Sequence, residues 1–404
     1  MKKILSLIFA LSLCLSLCAC QENQVSDDRE ASKEEKLYER YKDIIDHLED
    51  KDYDGAIEAI EDMADNAEQI VIPAPTQATG LNPDYELSPD PTGPTGPAQT
   101  AIYINNAQEL FAIDSNSGAT YVLARNIDLT GWEKSIEYFS GTLDGNGMVL
   151  SNATQPLIKE NNGTVKNLFM KDCNLQSNNN AAAVVVVNYG TVSGCTVSGT
   201  VSVANLDPHA AGVVCYNYGT VEACTNNATV CSQSYQINEL GNAVHGTWAY
   251  AGGVIADNCG NVSRCVNHGA VDTQGATSFA HAGGISACNS AGGEITNCYN
   301  TGTITGSCDF SVDRGGIAGY NGSGKIRYCY NIGTAYSGIA DDNRDYIIDC
   351  YYLDAASTYG CGDQNPEGVR LFSFSKGQLT KESTFPTFDF ETVWIMTENG
   401  PQFR

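Results

Sequence analysis

The feature that most constrains this chain is a phrase that recurs from about residue 100 onward. It begins with a short apolar strand, turns at Asn-x-Gly and runs through Val or Ile to a cysteine. One copy is Val184-Val185-Val186-Val187-Asn188-Tyr189-Gly190-Thr191-Val192-Ser193-Gly194-Cys195, and the next is Gly212-Val213-Val214-Cys215-Tyr216-Asn217-Tyr218-Gly219-Thr220-Val221-Glu222-Ala223-Cys224. Further copies run from Gly253 to Cys265, from Gly284 to Cys298 and from Gly316 to Cys329, with degenerate ones at Asn161 to Val165 and Ile347 to Cys350. Short β-branched strands separated by Asn/Gly corners specify a solenoid, because no single unit can bury its apolar face alone. The cysteine-to-cysteine steps are 29, 41, 33, 31 and 21 residues, so a constant core phrase carries inserts of different length. Coils stack ~4.8 Å apart, and roughly nine would fit this stretch. A propeller would need four strands per repeat and larger aromatic blade cores. The expected class is all-β, a parallel β-helix solenoid.

Two of these copies carry a resemblance. Ala251-Gly252-Gly253-Val254-Ile255-Ala256 leading to Cys265, and Gly315-Gly316-Ile317-Ala318-Gly319-Tyr320-Asn321, resemble the GLUG motif repeats of bacterial surface proteins. Tyr121 to Leu129 and Phe139 to Gly147 look like the first coils that precede such repeats. The resemblance spans about residues 100–355 and implies a right-handed β-helix on an exported, often adhesin-like protein. It does not imply one biochemical activity. Residues 356–404, with Phe385, Phe388, Phe390 and Trp394, look like the closing sequence after GLUG repeats and are expected to cap the solenoid.

The repeat register assigns roles to several residue series. Cys195, Cys224, Cys265, Cys298, Cys329 and Cys350 hold one position and should stack inside as buried free thiols, small hydrophobes in effect. Neighbouring Cα atoms would fall within disulfide range, but parallel Cβ vectors would strain a bridge. The spacings contain no C-x-x-C pair and no matched His, so no metal is expected. Asn188, Asn217, Asn258, Asn289 and Asn321 should form a structural carboxamide ladder at the corner. Gly190, Gly219, Gly260, Gly292 and Gly324, at or just after the turn, are expected to supply positive φ.

Tyr299, Tyr330 and Tyr351 each follow a ladder cysteine, so on a strand they should point outward as a row. That row could bind a sugar or a protein, or it could lie beneath the final segment. Asp341, Asp342, Asp345 and Asp349, with Arg344 among them, are the candidate acidic site for a cation or for catalysis; a solvated loop is the plainer reading. The five His form no H-E-x-x-H pair, and neither a G-x-S-x-G elbow nor a Walker loop occurs.

The N-terminal hundred residues have a different texture. Met1-Lys2-Lys3 and the apolar run Ile4 to Leu17 read as a secretory signal, too short for a membrane span of roughly 20 apolar residues. Leu17-Cys18-Ala19-Cys20 resembles the bacterial lipobox, which implies cleavage before Cys20 and acylation of its thiol. The expected segments are therefore a signal at 1–19, an acidic helical hairpin at 20–71, a Pro/Thr/Gly-rich linker at 72–99, the β-helix at 100–355 and the aromatic cap at 356–404. The net charge of -26 is spread along the chain and repels nucleic acid and anionic headgroups. These readings describe a lipid-anchored, cell-surface scaffold for glycan or protein, needing no cofactor. The alternative is a β-helical polysaccharide lyase or glycoside hydrolase using Asp341 to Asp349.

Overall fold

The computed structural model describes residues 101–113, 118–237, 243–245, 248–275, 279–363 and 368–404. These belong to one compact unit, Thr95–Arg404. The signal, Cys20, the helical hairpin and the linker lie outside the described residues. Among the described residues no helix is long and apolar enough to cross a membrane.

The chain winds into a parallel β-helix. A representative coil consists of Thr164–Lys166, Phe169–Ser177, Ala181–Ala182 and Val185–Asn188, after which Thr191–Ser193 starts the next. Its strands pair in parallel with their equivalents one coil before and after, except Ala181–Ala182, which pairs with the coil after. One register line passes through Ile102, Tyr121, Leu143, Val165, Val192, Val221, Val262, Ile295, Ile326, Ile347 and Val369, which makes eleven rungs. A second sheet stacks nine, from Ile136 to Cys361. Val, Ile and Leu dominate these lines because β-branched side chains fit a pleated surface and fill a flat layer between coils. Val192, Val221 and Ile295 are wholly buried.

The corners are built by three devices. At the first, Asn161, Asn188, Asn217, Asn258, Asn289, Asn321 and Asn343 form a continuous buried ladder, each Nδ2 donating to the next Oδ1 at 2.7–2.9 Å. The ladder runs one residue further at each end than the five expected. Asn226, Asn267, Asn300 and Asn331 form a second ladder with bonds of 2.7–2.8 Å, and it was not expected from the repeat. At the third corner sit Cys195, Cys224, Cys265, Cys298, Cys329 and Cys350, all free thiols with no solvent exposure. Each thiol reaches the carbonyl two residues back at 3.2–3.5 Å, and burial holds the Cys265, Cys298 and Cys329 thiols well above the usual range.

The expected positive φ at the glycines after the first corner holds only at Gly292. Gly190 is needed for a different reason: a Cβ there would lie 2.0 Å from the Gly163 carbonyl oxygen one coil back. The left-handed residue instead precedes the ladder cysteine, as at Ala223 (φ 52°), Arg264 (53°) and Tyr328 (53°). Such a conformation costs an ordinary residue about 1–2 kcal/mol, which the surrounding coil contacts must offset.

Candidate functional site

Tyr299, Tyr330 and Tyr351 are in register, with the Tyr299 and Tyr330 rings stacked at 4.9 Å. They are not exposed: their accessibilities are 6%, 1% and 2%. Residues 375–404 fold back across them, placing Phe385, Phe388, Trp394 and Phe403 against the row. The Tyr330 hydroxyl donates to the Pro401 carbonyl at 2.5 Å, and Tyr351 meets the Thr387 hydroxyl at 2.9 Å. The row is therefore core, and the final segment covers the flank of the last coils.

The four aspartates do not converge either. Asp341 is half-buried and accepts from the Arg314 amide at 2.7 Å and the Ser337 hydroxyl at 2.6 Å. Asp342 pairs with Arg344 at 2.9 Å, Asp345 caps the Tyr346 amide at 2.8 Å, and Asp349 pairs with Arg370 at 2.6 Å. Each carboxylate thus serves its own strand or corner. Among the described residues no group of three or more His, Cys, Asp or Glu is arranged to hold a metal.

A different surface gathers the ionisable and aromatic groups. The strands His209–Ala211, Trp248–Gly252, Phe279–Gly283 and Ser311–Gly315 stack in parallel, putting His209, Tyr250, His281 and Asp313 in one row. After a Gly-bearing bend, the next strand of each coil contributes Tyr216, Asp257, Cys288 and Tyr320 in a second row. The bend turns the two rows toward each other, with His209 and Tyr216 ring centroids 4.9 Å apart and His281 and Tyr320 5.5 Å apart. The result is a concave bend, here called the groove, that spans four coils and is filled by its own packed side chains, with His209 and His281 only 7% and 4% exposed. At its rim Trp248 stacks on Phe279 at 4.7 Å, and Phe310 stands edge-on to Phe279, 64% exposed.

The groove floor is polar and charged. His281 Nδ1 lies 2.7 Å from an Asp313 carboxylate oxygen, with side-chain exposures of 5% and 13%. The two side chains are thus in direct polar contact. Ser290 Oγ approaches Asp257 at 3.4 Å, and Asn180 Nδ2 donates to the Tyr216 hydroxyl at 2.6 Å. Burial lifts the Asp257 carboxyl to about 6, although the Cys288 and Ser290 hydrogen bonds and His281 pull it down. Burial likewise pushes His209 down to about 4, so it is neutral at pH 7, with its Nδ1 3.1 Å from the Asp207 carbonyl. A signal for this surface exists in the sequence: His209, Tyr250, His281 and Asp313 each stand three residues before Gly212, Gly253, Gly284 and Gly316.

Comparison with known proteins bears on the fold. The GLUG motif profile matches residues 280–305, the coil that lies between the two copies singled out above. A stretch of 135 residues is 29% identical to halomucin of Haloquadratum walsbyi, covering 26% of this chain and 2% of that protein. A crystal structure from Bacteroides ovatus, described as a candidate immunoglobulin A1 protease, covers 75% of this chain and 91% of its own at 16% identity and TM-score 0.43. An IgA1 protease structure covers 67% of this chain and 21% of its own at 15% identity and TM-score 0.46. Likenesses this remote carry no reaction or substrate across. The fold and the matched coil together identify the chain as a parallel β-helix that carries the GLUG motif.

Proposed function

We propose that this protein is an exported lipoprotein, anchored through Cys20, whose β-helix is a non-catalytic scaffold that binds glycan on its lateral groove. The carrying observation is the lateral strip itself: aromatic side chains stacked coil on coil beside a row of ionisable groups, with Phe310 64% exposed at its edge. Ligand sites combine apolar walls with a few placed polar groups. A repeating polymer also suits a surface whose period is one coil. The anchor rests on the lipobox-like Leu17-Cys18-Ala19-Cys20, and the Pro-rich stretch 72–99 suits a spacer between the lipid and the scaffold.

A glycan array probed with the purified mature chain tests the binding reading, with reducing ends followed on the same ligands. Saturable binding without release of new ends, lost in a Trp248→Ala/Phe279→Ala double variant, is expected. Turnover of any ligand would replace the scaffold reading with an enzyme. Mass spectrometry of the membrane-extracted protein tests the anchor: an acylated N-terminal Cys20 is expected, and an unmodified one would remove the lipid from the account.

A further inference from the structure

The first coil opens on a cleft of about 390 Å³ whose lining includes Asn105, Gln108, Asn126, Ile127, Asp128 and Trp132. None of these residues belongs to the lateral groove. The cleft exists because the repeat is broken there. Among the described residues Ile127–Asp128 pairs only with Val149–Ser151 of the next coil. A partner from the preceding coil would have to follow Ile102–Ile104, where the chain forms the short helix Ala107–Leu110 instead. The space left has the size of a small-molecule site, for which about 300 Å³ is the lower bound.

Two polar side chains of the cleft are fixed at one end and open at the other. Asp128 Oδ1 accepts from the Thr130 amide at 3.0 Å, the Thr130 hydroxyl at 2.7 Å and Asn152 Nδ2 at 2.9 Å. Its Oδ2 has no hydrogen-bond partner among the described residues. The bonds from Asn152 and Thr130 hold the carboxyl below its usual range, so it is ionised at neutral pH. Asn126 Oδ1 accepts from the Val149 amide at 2.9 Å, which leaves its Nδ2 without a partner among the described residues. Asn126 and Asp128 are exposed on either side of buried Ile127, so alternation turns both toward one face. Trp132 is half-buried and held by stacking on Phe111 at 5.6 Å. The Lys134 ammonium, exposed and 5.9 Å from the indole, is the group a ligand would displace.

An oriented amide donor beside an oriented carboxylate acceptor, next to an indole, matches two adjacent hydroxyls of a sugar ring. One hydroxyl accepts from Asn126, its neighbour donates to Asp128, and the C–H face of the ring meets Trp132. A sugar acid would bring a further negative charge to Asp128, with Glu109 bonded to Asn105 and Asn106 at the same turn. We infer that the first-coil cleft is a second sugar site, which binds a neutral hexopyranose through vicinal hydroxyls held by Asn126 and Asp128 against Trp132.

The test is saturation-transfer NMR of the mature chain with the methyl glycosides of glucose, galactose and mannose and with their uronic acid counterparts. At least one neutral glycoside should bind, at least tenfold tighter than its acid and without weakening as salt rises. Asp128→Asn should cost at least tenfold in affinity, and Asn126→Ala two- to fivefold; both positions are exposed, so the coil core is left intact. The bound sugar should also protect Trp132 from oxidative labelling. Failure of all three neutral glycosides to bind, equal binding of the acid, or protection of Trp248 in place of Trp132 would each overturn the inference. If it fails while an array ligand is lost in the Trp248→Ala/Phe279→Ala variant, the lateral-groove reading stands alone. Protection of Trp132 with no ligand for the groove would leave this site standing and remove that reading.

Discussion

The molecule carries two aromatic rows made by the same repeat, and they meet opposite fates. On one flank Tyr299, Tyr330 and Tyr351 run in register into Phe372, and the three tyrosines are sealed by Phe385, Phe388 and Trp394. On the other, Trp248, Tyr250 and Phe279 line a groove with Phe310 largely exposed. A solenoid multiplies whatever side chain its repeat places outward, so an outward aromatic becomes a strip. A strip must be covered, or it becomes a contact surface. The C-terminal segment covers one strip with rings whose centroids lie 5.1–6.2 Å from those of the tyrosines. The other is bordered by carboxylates and histidines, which fits a surface meant to meet water and ligand.

The contrast breaks most visibly at the sealed row. Trp394 is wholly buried, touches Tyr299, Tyr330, Phe388 and Phe403, and donates to Asn297 Oδ1 at 3.3 Å. Trp394→Ala should destabilise the last coils by about 3–5 kcal/mol, read from urea denaturation, and should increase dye binding as the tyrosines emerge. A loss below 1 kcal/mol would mean the segment is not packed as described.

The next largest effect lies in the corner both rows share. Asn258→Leu removes one carboxamide from the middle of the first ladder, so Asn217 Nδ2 and Asn289 Oδ1 each lose a 2.8 Å bond and the Gly260 amide loses its acceptor. Each buried orphan costs about 1–3 kcal/mol, so a loss of about 3 kcal/mol is expected. The same change at exposed Asn162 should cost almost nothing, and equal costs at the two sites would refute the ladder.

A smaller effect separates the groove from the sealed row by its pH response. Asp257 has a folded value raised from 3.8 to about 6, so the native state holds a proton there that the unfolded chain lacks. Its contribution is present at low pH and is lost as pH rises through about 6. His209 falls from 6.5 to about 4, so its native form lacks a proton that the unfolded chain binds, and stability is lost as pH falls through that window. The two oppose each other between roughly pH 4 and 6. Relative to wild type, Asp257→Asn should lose stability toward acid with a slope approaching 1.4 kcal/mol per pH unit, and His209→Gln should gain it. Asp257 is partly exposed, so its slope should be the shallower. Parallel pH profiles for the two variants and wild type would sink the assignment. Tyr330→Phe in the sealed row should leave the profile unchanged below pH 8.

The smallest stability effect belongs to the rim. Trp248→Ala, at a half-buried position, should cost about 1–2 kcal/mol by its lost apolar area. It should still lower glycan affinity more than tenfold, measured on the ligand the array identifies.

How much of this was legible depends on how local each feature is. The coil core could be read because Val192, Val221 and Val262 recur at a fixed offset from Asn-x-Gly. The first Asn ladder and the buried cysteines followed from the same alignment. The second ladder was legible in principle, since Asn267-His268-Gly269, Asn300-Thr301-Gly302 and Asn331-Ile332-Gly333 repeat the corner phrase within each coil. The cover over Tyr330 was not, because Pro401 lies 71 residues away and nothing local to Tyr330 announces it. The aspartates at 341–349 are close in sequence, but alternation along a strand and a corner between them send their carboxylates to different partners. The groove joins residues seven apart across a bend, such as His209 and Tyr216, and a search for strand or helix periodicity passes over that spacing.

The most direct test of the account is oxidative footprinting of the intact mature chain, read by mass spectrometry at each aromatic side chain. The account predicts labelling at Trp248, Phe279 and Phe310, with Tyr299, Tyr330, Tyr351 and Trp394 protected until the chain unfolds. Labelling of the tyrosine row in the folded protein, or protection of Phe310 and Trp248 without ligand, would contradict it.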